Sequence, residues 1–346
     1  MNTHVSIPVL HGGERKQQTI KTKRIMNKDL LKQLYKLHSP SGSERKMRKF
    51  LKRQARACGA TDIQQDVFGN LFITKGTTDT YPCVAAHMDQ VQNVHARDFV
   101  CIEDKGVIFG YSPKCHEQQG LGADDKNGIL ICLECLARYD AIKVAFFVGE
   151  ETGCVGSSHC DLTFFTDCRF IIEPDRRGSS DLITSMFCGQ VCSADFMEAI
   201  GYEAYGYKPT QGSITDVGEL TQRRVGISCL NLSCGYYEAH TDREFTVVSE
   251  LENCLDFVCH IIDTCTDVYP FSQKKEYMFY GYRSLYEFED EAYSLFDSVL
   301  SYHPETTLEE CILYLDDETR THLTDEQIRT IYDDAKMWYK DGYADF

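Results

Sequence analysis

The sequence contains no apolar run approaching the length of a membrane span, and its N-terminus lacks the charged-then-apolar pattern of a signal peptide. A membrane or exported protein is therefore not expected, and the chain reads as cytoplasmic. Cations are also short: 36 Lys and Arg face 53 Asp and Glu, for a formal net charge of −17. That balance excludes nucleic-acid backbone as the main partner, because phosphate binding needs clustered positive charge. A local basic stretch, residues 45–56, reads as the outer face of an amphipathic helix. There are no internal repeats and no low-complexity segment.

Cysteine, by contrast, is abundant, with 17 residues. Several sit inside apolar helix and strand patterns, as in Ile131-Cys132-Leu133-Glu134-Cys135. Cys132/Cys135 and Cys188/Cys192 could each be half of a zinc knuckle, but no second pair stands at ligand spacing. The expectation is buried free thiols in a reducing compartment, not a disulfide framework. With 346 residues and 42% hydrophobic content, the chain can bury a substantial core.

The pattern alternates between helix and strand. Asn27 is placed to cap a helix with Leu30, Leu31, Leu34 and Leu37 on one face, and Ser39-Pro40-Ser41-Gly42-Ser43 breaks it. A second helix turns Met47, Phe50, Leu51 and Cys58 inward and stops at Gly59. Residues 63–67 and 71–73 read as hairpin strands around Phe68-Gly69-Asn70, 82–86 as a buried strand, and 100–109 as another hairpin. A Gly-rich turn, 120–128, feeds a helix over 129–138. Strands follow at 142–148, at 169–172 leading into Glu173-Pro174-Asp175, and at 226–232. Ser213 to Asp216 opens a helix, and a closing helix spans about 250–264.

Such alternation predicts an α/β fold: a doubly wound, mostly parallel central sheet flanked by helices. We divide the chain into a lead-in over 1–26, a main α/β domain over 27–272 and a small helical C-terminal appendage over 273–346. In the appendage, Thr306-x-x-Glu309 and Thr324-x-x-Gln327 read as capping boxes. They precede the stripes Leu308, Ile312, Leu315 and Ile328, Ile331, Ala335, Trp338.

The functional signal lies where apolar strands end. Gly149-Glu150-Glu151-Thr152-Gly153 leaves the run 142–148, so two adjacent carboxylates stand at a strand terminus, where open α/β sheets place their sites. His87, Asp175 and His240 also follow strands, and Asp124 comes from the Gly-rich turn. Taken singly, each has a bland reading as a core histidine, a turn residue or a helix cap. Repeated placement at strand ends is what singles them out. Two His and several carboxylates suit a pair of zinc ions, and a carboxylate bridging metals roughly 3.5–4 Å apart organises a site that activates water. A Glu beside a ligating Glu is suited to general-base work, and Asp89, two residues after His87, to orienting the imidazole.

The ordered set His87-x-Asp89, Gly122-Ala-Asp124-Asp125-Lys126, Glu150-Glu151, Asp175 and His240 resembles the co-catalytic di-zinc exopeptidase clan. That clan includes peptidase T, aminoacylase, carboxypeptidase G and bacterial leucyl aminopeptidase. Ser39-Pro-Ser-Gly-Ser-Glu44, Phe68-Gly69-Asn70 and Gly235-Tyr-Tyr-Glu-Ala-His240 match as well, and the resemblance covers roughly residues 27–265. It implies that His87 and Asp175 bind one zinc, Glu151 and His240 the other, and that Asp124 bridges them, with a peptide bond to Asp125 that is often cis. It implies Glu150 as base and Asp89 as orienting partner.

The spans from Asp175 to His240 and from Asp89 to Asp124 are too short for the clan's lids, so a lidless member is expected. The implied activity is cleavage of short peptides, as an aminopeptidase or di/tripeptidase. An N-acyl-amino-acid amidohydrolase and an idle scaffold with a C-terminal binding module are the alternatives. Arg176-Arg177 reads as a solvated loop, and Thr215-Asp216 is left open. Ser157-Ser158-His159 is not expected to form a nucleophilic triad, and His95, His116, His159 and His260 are assigned no role. The oligomeric state and the native metal are not encoded legibly.

Overall fold

The computed structural model describes residues 26–186, 189–272 and 285–337. The lead-in up to residue 25, Cys188 and Trp338 lie outside them. In chain order the strands are β1 (Asp62–Gln65), β2 (Leu71–Lys75), β3 (Tyr81–His87), β4 (Val100–Asp104), β5 (Val107–Ser112), β6 (Glu117–Gln119), β7 (Ile142–Phe147) and β8 (Cys168–Arg176). They continue with β9 (Asp181–Met186), β10 (Gly189–Gln190), β11 (Lys208–Gln211), β12 (Cys229–Ser233), β13 (Tyr236–Tyr237) and β14 (Phe245–Val247). The helices begin with α1 (Lys28–Tyr35), α2 (Arg45–Ala57), α3 (Ala123–Arg138), α4 (Val155–His159), α5 (Ala194–Ala199), α6 (Asp216–Gln222) and α7 (Val248–Thr264). The C-terminal helices are α8 (Leu285–Tyr302), α9 (Leu308–Ile312), α10 (Asp317–His322) and α11 (Asp325–Met337). None of the described helices is long and apolar enough to cross a membrane.

The larger sheet runs β1-β2-β7-β3-β8-β12-β9-β10, with β11 also on β9. Its four central strands, β7, β3, β8 and β12, are parallel, while β2 and β9 flank them antiparallel. This is the expected α/β class, with parallel order in the buried centre and again where β11 joins β9. The period of two along each strand divides the core. Val84, Ala86, Val144, Phe146, Phe170 and Ile172 face α1, α2, α3 and α7; Cys83, Ala85, Ala145, Phe147 and Ile171 face α6 and the turn holding Phe165. Each of the Val, Ile and Phe side chains contributes about 1.5–3 kcal/mol by leaving water, and the smaller Ala side chains less. A smaller antiparallel sheet, β13-β14-β5-β4 with β6 on β5, holds the chain on either side of the Gly-rich turn and the His240 loop.

Local chemistry sets the boundaries. The Asn27 side chain accepts from Leu30 N–H and caps α1, and Gly59 ends the turn after α2 with φ +83°. The strand expected to end before Glu173 runs on to Arg176. Pro174 is tolerated there because pairing with β3 stops at Ile172, and the ladder to β12 shifts register between Asn231 and Ser233. The capping box of α9 is Thr307 with Glu310, one residue later than the expected Thr306 and Glu309, whereas Thr324 and Gln327 pair as expected. The described cysteines are free thiols, most of them buried.

Candidate metal centre

The carboxyl ends of β3, β7 and β8 converge with the start of α3 and the loop after β13. His87, the last residue of β3, is fully buried, with its Nε2 3.0 Å from Asp124 Oδ1 and 3.5 Å from Asp175 Oδ1. His240, half exposed, points its Nε2 to Asp124 Oδ2 at 3.2 Å and to Glu151 Oε2 at 3.1 Å. One carboxylate thus stands between two imidazoles, giving an oxygen to each. Asp125 also comes within reach of His87 and Asp175. Its oxygens, however, accept from the backbone N–H groups of Gly128 at 2.9 Å and His87 at 3.3 Å, which assigns it to holding the turn. The Asp124–Asp125 peptide bond is cis.

Asp89 ties the site together. Its Oδ1 lies 3.4 Å from His87 Nδ1 and accepts from Glu150 N–H at 3.1 Å; its Oδ2 accepts from Ser41 Oγ at 2.7 Å and Glu151 N–H at 3.3 Å. The strand-end carboxylates are therefore aimed by the residue expected to orient the histidine. Glu150 Oε2 stands 4.0 Å from His87 Nε2.

Burial and mutual repulsion distort the titration of these groups. Burial, then Asp124 and Glu151, outweigh His87 and push the Glu150 carboxyl up to about 8. Burial, then Asp124 and Asp125, push Asp175 upward. Hydrogen bonds donated to Asp124 and Glu151 push His240 up to about 10. Burial opposes it, but Asp175, Asp124 and Asp89 still raise His87. Burial opposes ionisation of Asp124 too, yet the two imidazoles hold it far below the usual carboxylate range.

Two His and this many buried carboxylates form a donor set for hard-to-borderline divalent cations. Glu151 Oε1 is buried with no hydrogen-bond partner in the protein, a costly arrangement for a carboxylate that faces no cation. The residues present fit divalent metal ions.

Several supporting residues were assigned no role from sequence. Asn231 on β12 accepts from Asp175 N–H at 3.3 Å and donates to its carbonyl at 3.1 Å, and Tyr236 O–H reaches Asp175 Oδ1 at 3.4 Å. Glu244 accepts from Asp124 N–H at 3.1 Å. Buried Lys126 donates to Gln90 Oε1 at 2.5 Å and to the Leu121 carbonyl at 2.9 Å. Glu173, fully buried, accepts from Thr215 O–H and from Val217 N–H at 3.1 Å. Asp216 turns away from solvent to accept from Ser157 O–H at 2.5 Å. For Asn231 and Glu173, a polar residue in or at the end of an apolar run was the available signal.

Asp124, Glu150, Glu151, Asp175 and His240 line a cavity of about 350 Å³ whose other walls include Ile183, Ile214, Thr215, Ala239, Arg176 and Arg177. Arg176 is paired with Asp181 at 3.3 Å, and Arg177 is exposed. Ser158 and His159 are in contact at 3.1 Å but do not line this cavity.

No family model and no curated protein matches the chain. Solved structures do. The crystal structure of aminopeptidase PepT from Bacillus cereus superposes with a TM-score of 0.57 and 16% identity, over 68% of this chain and 96% of that one. A tripeptidase from Staphylococcus aureus gives 0.54 and 16%, over 68% and 96%. An aminopeptidase from the archaeon Desulfurococcus kamchatkensis gives 0.53 and 14%, over 69% and 94%. At such identities the likeness is one of architecture: the chain shares the α/β fold of these aminopeptidases and of the tripeptidase.

Proposed function

We propose that this protein is a lidless di-zinc exopeptidase that hydrolyses short peptides, as an aminopeptidase or di/tripeptidase. The observation that carries this reading is the division of Asp124, whose two oxygens face the separate clusters His87–Asp175 and His240–Glu151. In this reading His87 and Asp175 hold one ion, His240 and Glu151 the other, and Asp124 both. Zinc bound there supplies Lewis acidity, polarising the scissile carbonyl and acidifying a water.

The protein's own groups do the rest. Glu150 lies beside both clusters without belonging to either triad, and it is the base that takes the proton from the attacking water and returns it to the leaving amine. Asp89 fixes the His87 ring through Nδ1 and holds the Glu150–Glu151 backbone, so one carboxylate keeps ligand and base in register. The cavity is of a size for a short peptide, with Ile183, Ile214 and Ala239 offering apolar contact. The likeness in fold to aminopeptidases and a tripeptidase supports the same reading.

The test is peptide hydrolysis followed by mass spectrometry. Wild type and Glu150→Gln, each with zinc, are given a pool of free, N-blocked and C-blocked short peptides. Loss of N-terminal residues from free-amine peptides is expected, with the variant slower by about two to four decades. Cleavage of only the N-acylated members would turn the assignment to an amidohydrolase. Equal rates for the two proteins would remove Glu150 as base.

A further inference from the structure

The C-terminal helices reach the back of the candidate site through two tyrosines. Tyr302, the last residue of α8, lays its ring between the Gly42 loop and the Gly149 turn. A Cβ placed at Gly149 would stand 3.3 Å from the Tyr302 hydroxyl, and one at Gly42 would stand 3.9 Å from the same oxygen. Both loops belong to the Asp89 hub. Ser41, beside Gly42, donates to Asp89 Oδ2, and Glu150 and Glu151, directly after Gly149, donate their backbone N–H groups to the same carboxylate. The phenol is half-buried there. Burial, and then the carboxylates of Glu44 and Asp89, push it further from ionisation.

The second tyrosine braces the other side of the turn. Tyr314 packs edge-on against Phe68 at 4.8 Å between ring centroids. Phe68 opens the turn that carries Asn70, whose Oδ1 accepts from Val148 N–H at 3.0 Å and whose Nδ2 donates to the Gly156 carbonyl at 2.9 Å. Residues 148–156, including both adjacent glutamates, are therefore clamped between two loops, one backed by Tyr302 at the end of α8 and the other by Tyr314 in the turn after α9. Gly149 has φ +62°, so the turn itself has no side chain with which to fill that space.

We propose that Tyr302 is a positioning residue for the Glu150–Glu151 turn, so that the C-terminal helices complete the catalytic site as a built-in brace. Tyr302 acts through Gly149 and the Asp89 hub, touching neither substrate nor metal donors. The effect on catalysis rests on the reading of Glu150 and Glu151 given above; the effect on the turn does not.

The experiment is hydrogen–deuterium exchange by mass spectrometry on the full chain, comparing wild type, Tyr302→Phe and Tyr302→Ala, with peptide kinetics alongside. Amides of residues 149–154 should exchange about tenfold faster in Tyr302→Ala, with α3 and α7 as protected as in wild type. Tyr302→Phe removes only the hydroxyl that faces Gly149. It should give the same local effect at about threefold, and it carries the test if the alanine variant does not fold. On peptides, kcat should fall with KM held within about twofold. Unchanged exchange at 149–154 in both variants, or protection lost evenly across the chain, would overturn the proposal. If wild type hydrolyses no peptide, the exopeptidase reading fails, while the exchange data still judge the brace.

Discussion

Because Asp124 gives one oxygen to each imidazole, substitutions at the centre should differ in how many donor sets they break. If the proposed di-zinc reading holds, Asp124→Asn should lose both zinc ions and His240→Ala one, when metal per chain is measured after gel filtration. Retention of wild-type zinc by Asp124→Asn would dismiss the shared-carboxylate geometry. Gly128 illustrates the tightness beneath this residue. A Cβ there would stand 2.4 Å from both oxygens of the buried Asp125 carboxylate. Alanine normally favours a helix by about 1 kcal/mol over glycine. Here crowding should reverse the sign, and Gly128→Ala should lose roughly 1–3 kcal/mol in urea unfolding. The donors that converge were legible because each stands at the end of an apolar run or in the Gly-rich turn. Asn231, Tyr236 and Glu244 were not. They reach Asp175 or Asp124 across 56, 61 and 120 residues of chain, and no local spacing encodes a partner that tertiary pairing supplies.

The turn after β1 carries a titration of its own. Asp66 accepts from the N–H groups of Gly69 and Asn70 and from the Asn70 side chain, yet burial pushes its carboxyl up to about 6 from 3.8. The folded chain therefore holds this proton more tightly than the unfolded one. The stability it contributes is complete below about pH 4 and is lost as the pH rises through 6, by at most about 3 kcal/mol. Asp66→Asn cannot titrate. Relative to wild type it should gain stability steadily from pH 4 to pH 7 above any constant offset, and a pH-independent difference would refute the assignment. At the other end of the chain, Thr307→Ala should cost about 1 kcal/mol through loss of the α9 cap. The sequence offers the same Thr-x-x-Glu pattern at Thr306 and at Thr307. The later register prevails in a setting where the Thr306 carbonyl accepts from Tyr332 O–H at 2.6 Å and Lys336 Nζ at 2.8 Å. The central strands were legible from their apolar runs. Strands β9 to β11 were not, because their mixed polar residues acquire strand geometry only by pairing at the sheet's edge.

For the molecule as a whole, the crowded carboxylates make the fold responsive to the ions proposed to sit among them. Ligands that bind only the folded state stabilise it by about 2.7 kcal/mol at a hundredfold excess over Kd. Zinc should thus raise the thermal midpoint of wild type and Glu150→Gln alike by a few degrees, a chelator should reverse it, and Asp124→Asn should show no rise. Scanning calorimetry decides this, and a wild-type midpoint indifferent to zinc would count against metal binding. The strand order has a further consequence for synthesis. β3, which ends in His87, lies between β7 and β8, both of which follow it in the chain, and the donor cluster closes only with His240. A growing polypeptide emerging from the ribosome therefore has no assembled centre until most of it is out, and with the brace at Tyr302 the wait extends further. Under the proposed function, hydrolytic power would wait until synthesis has passed His240.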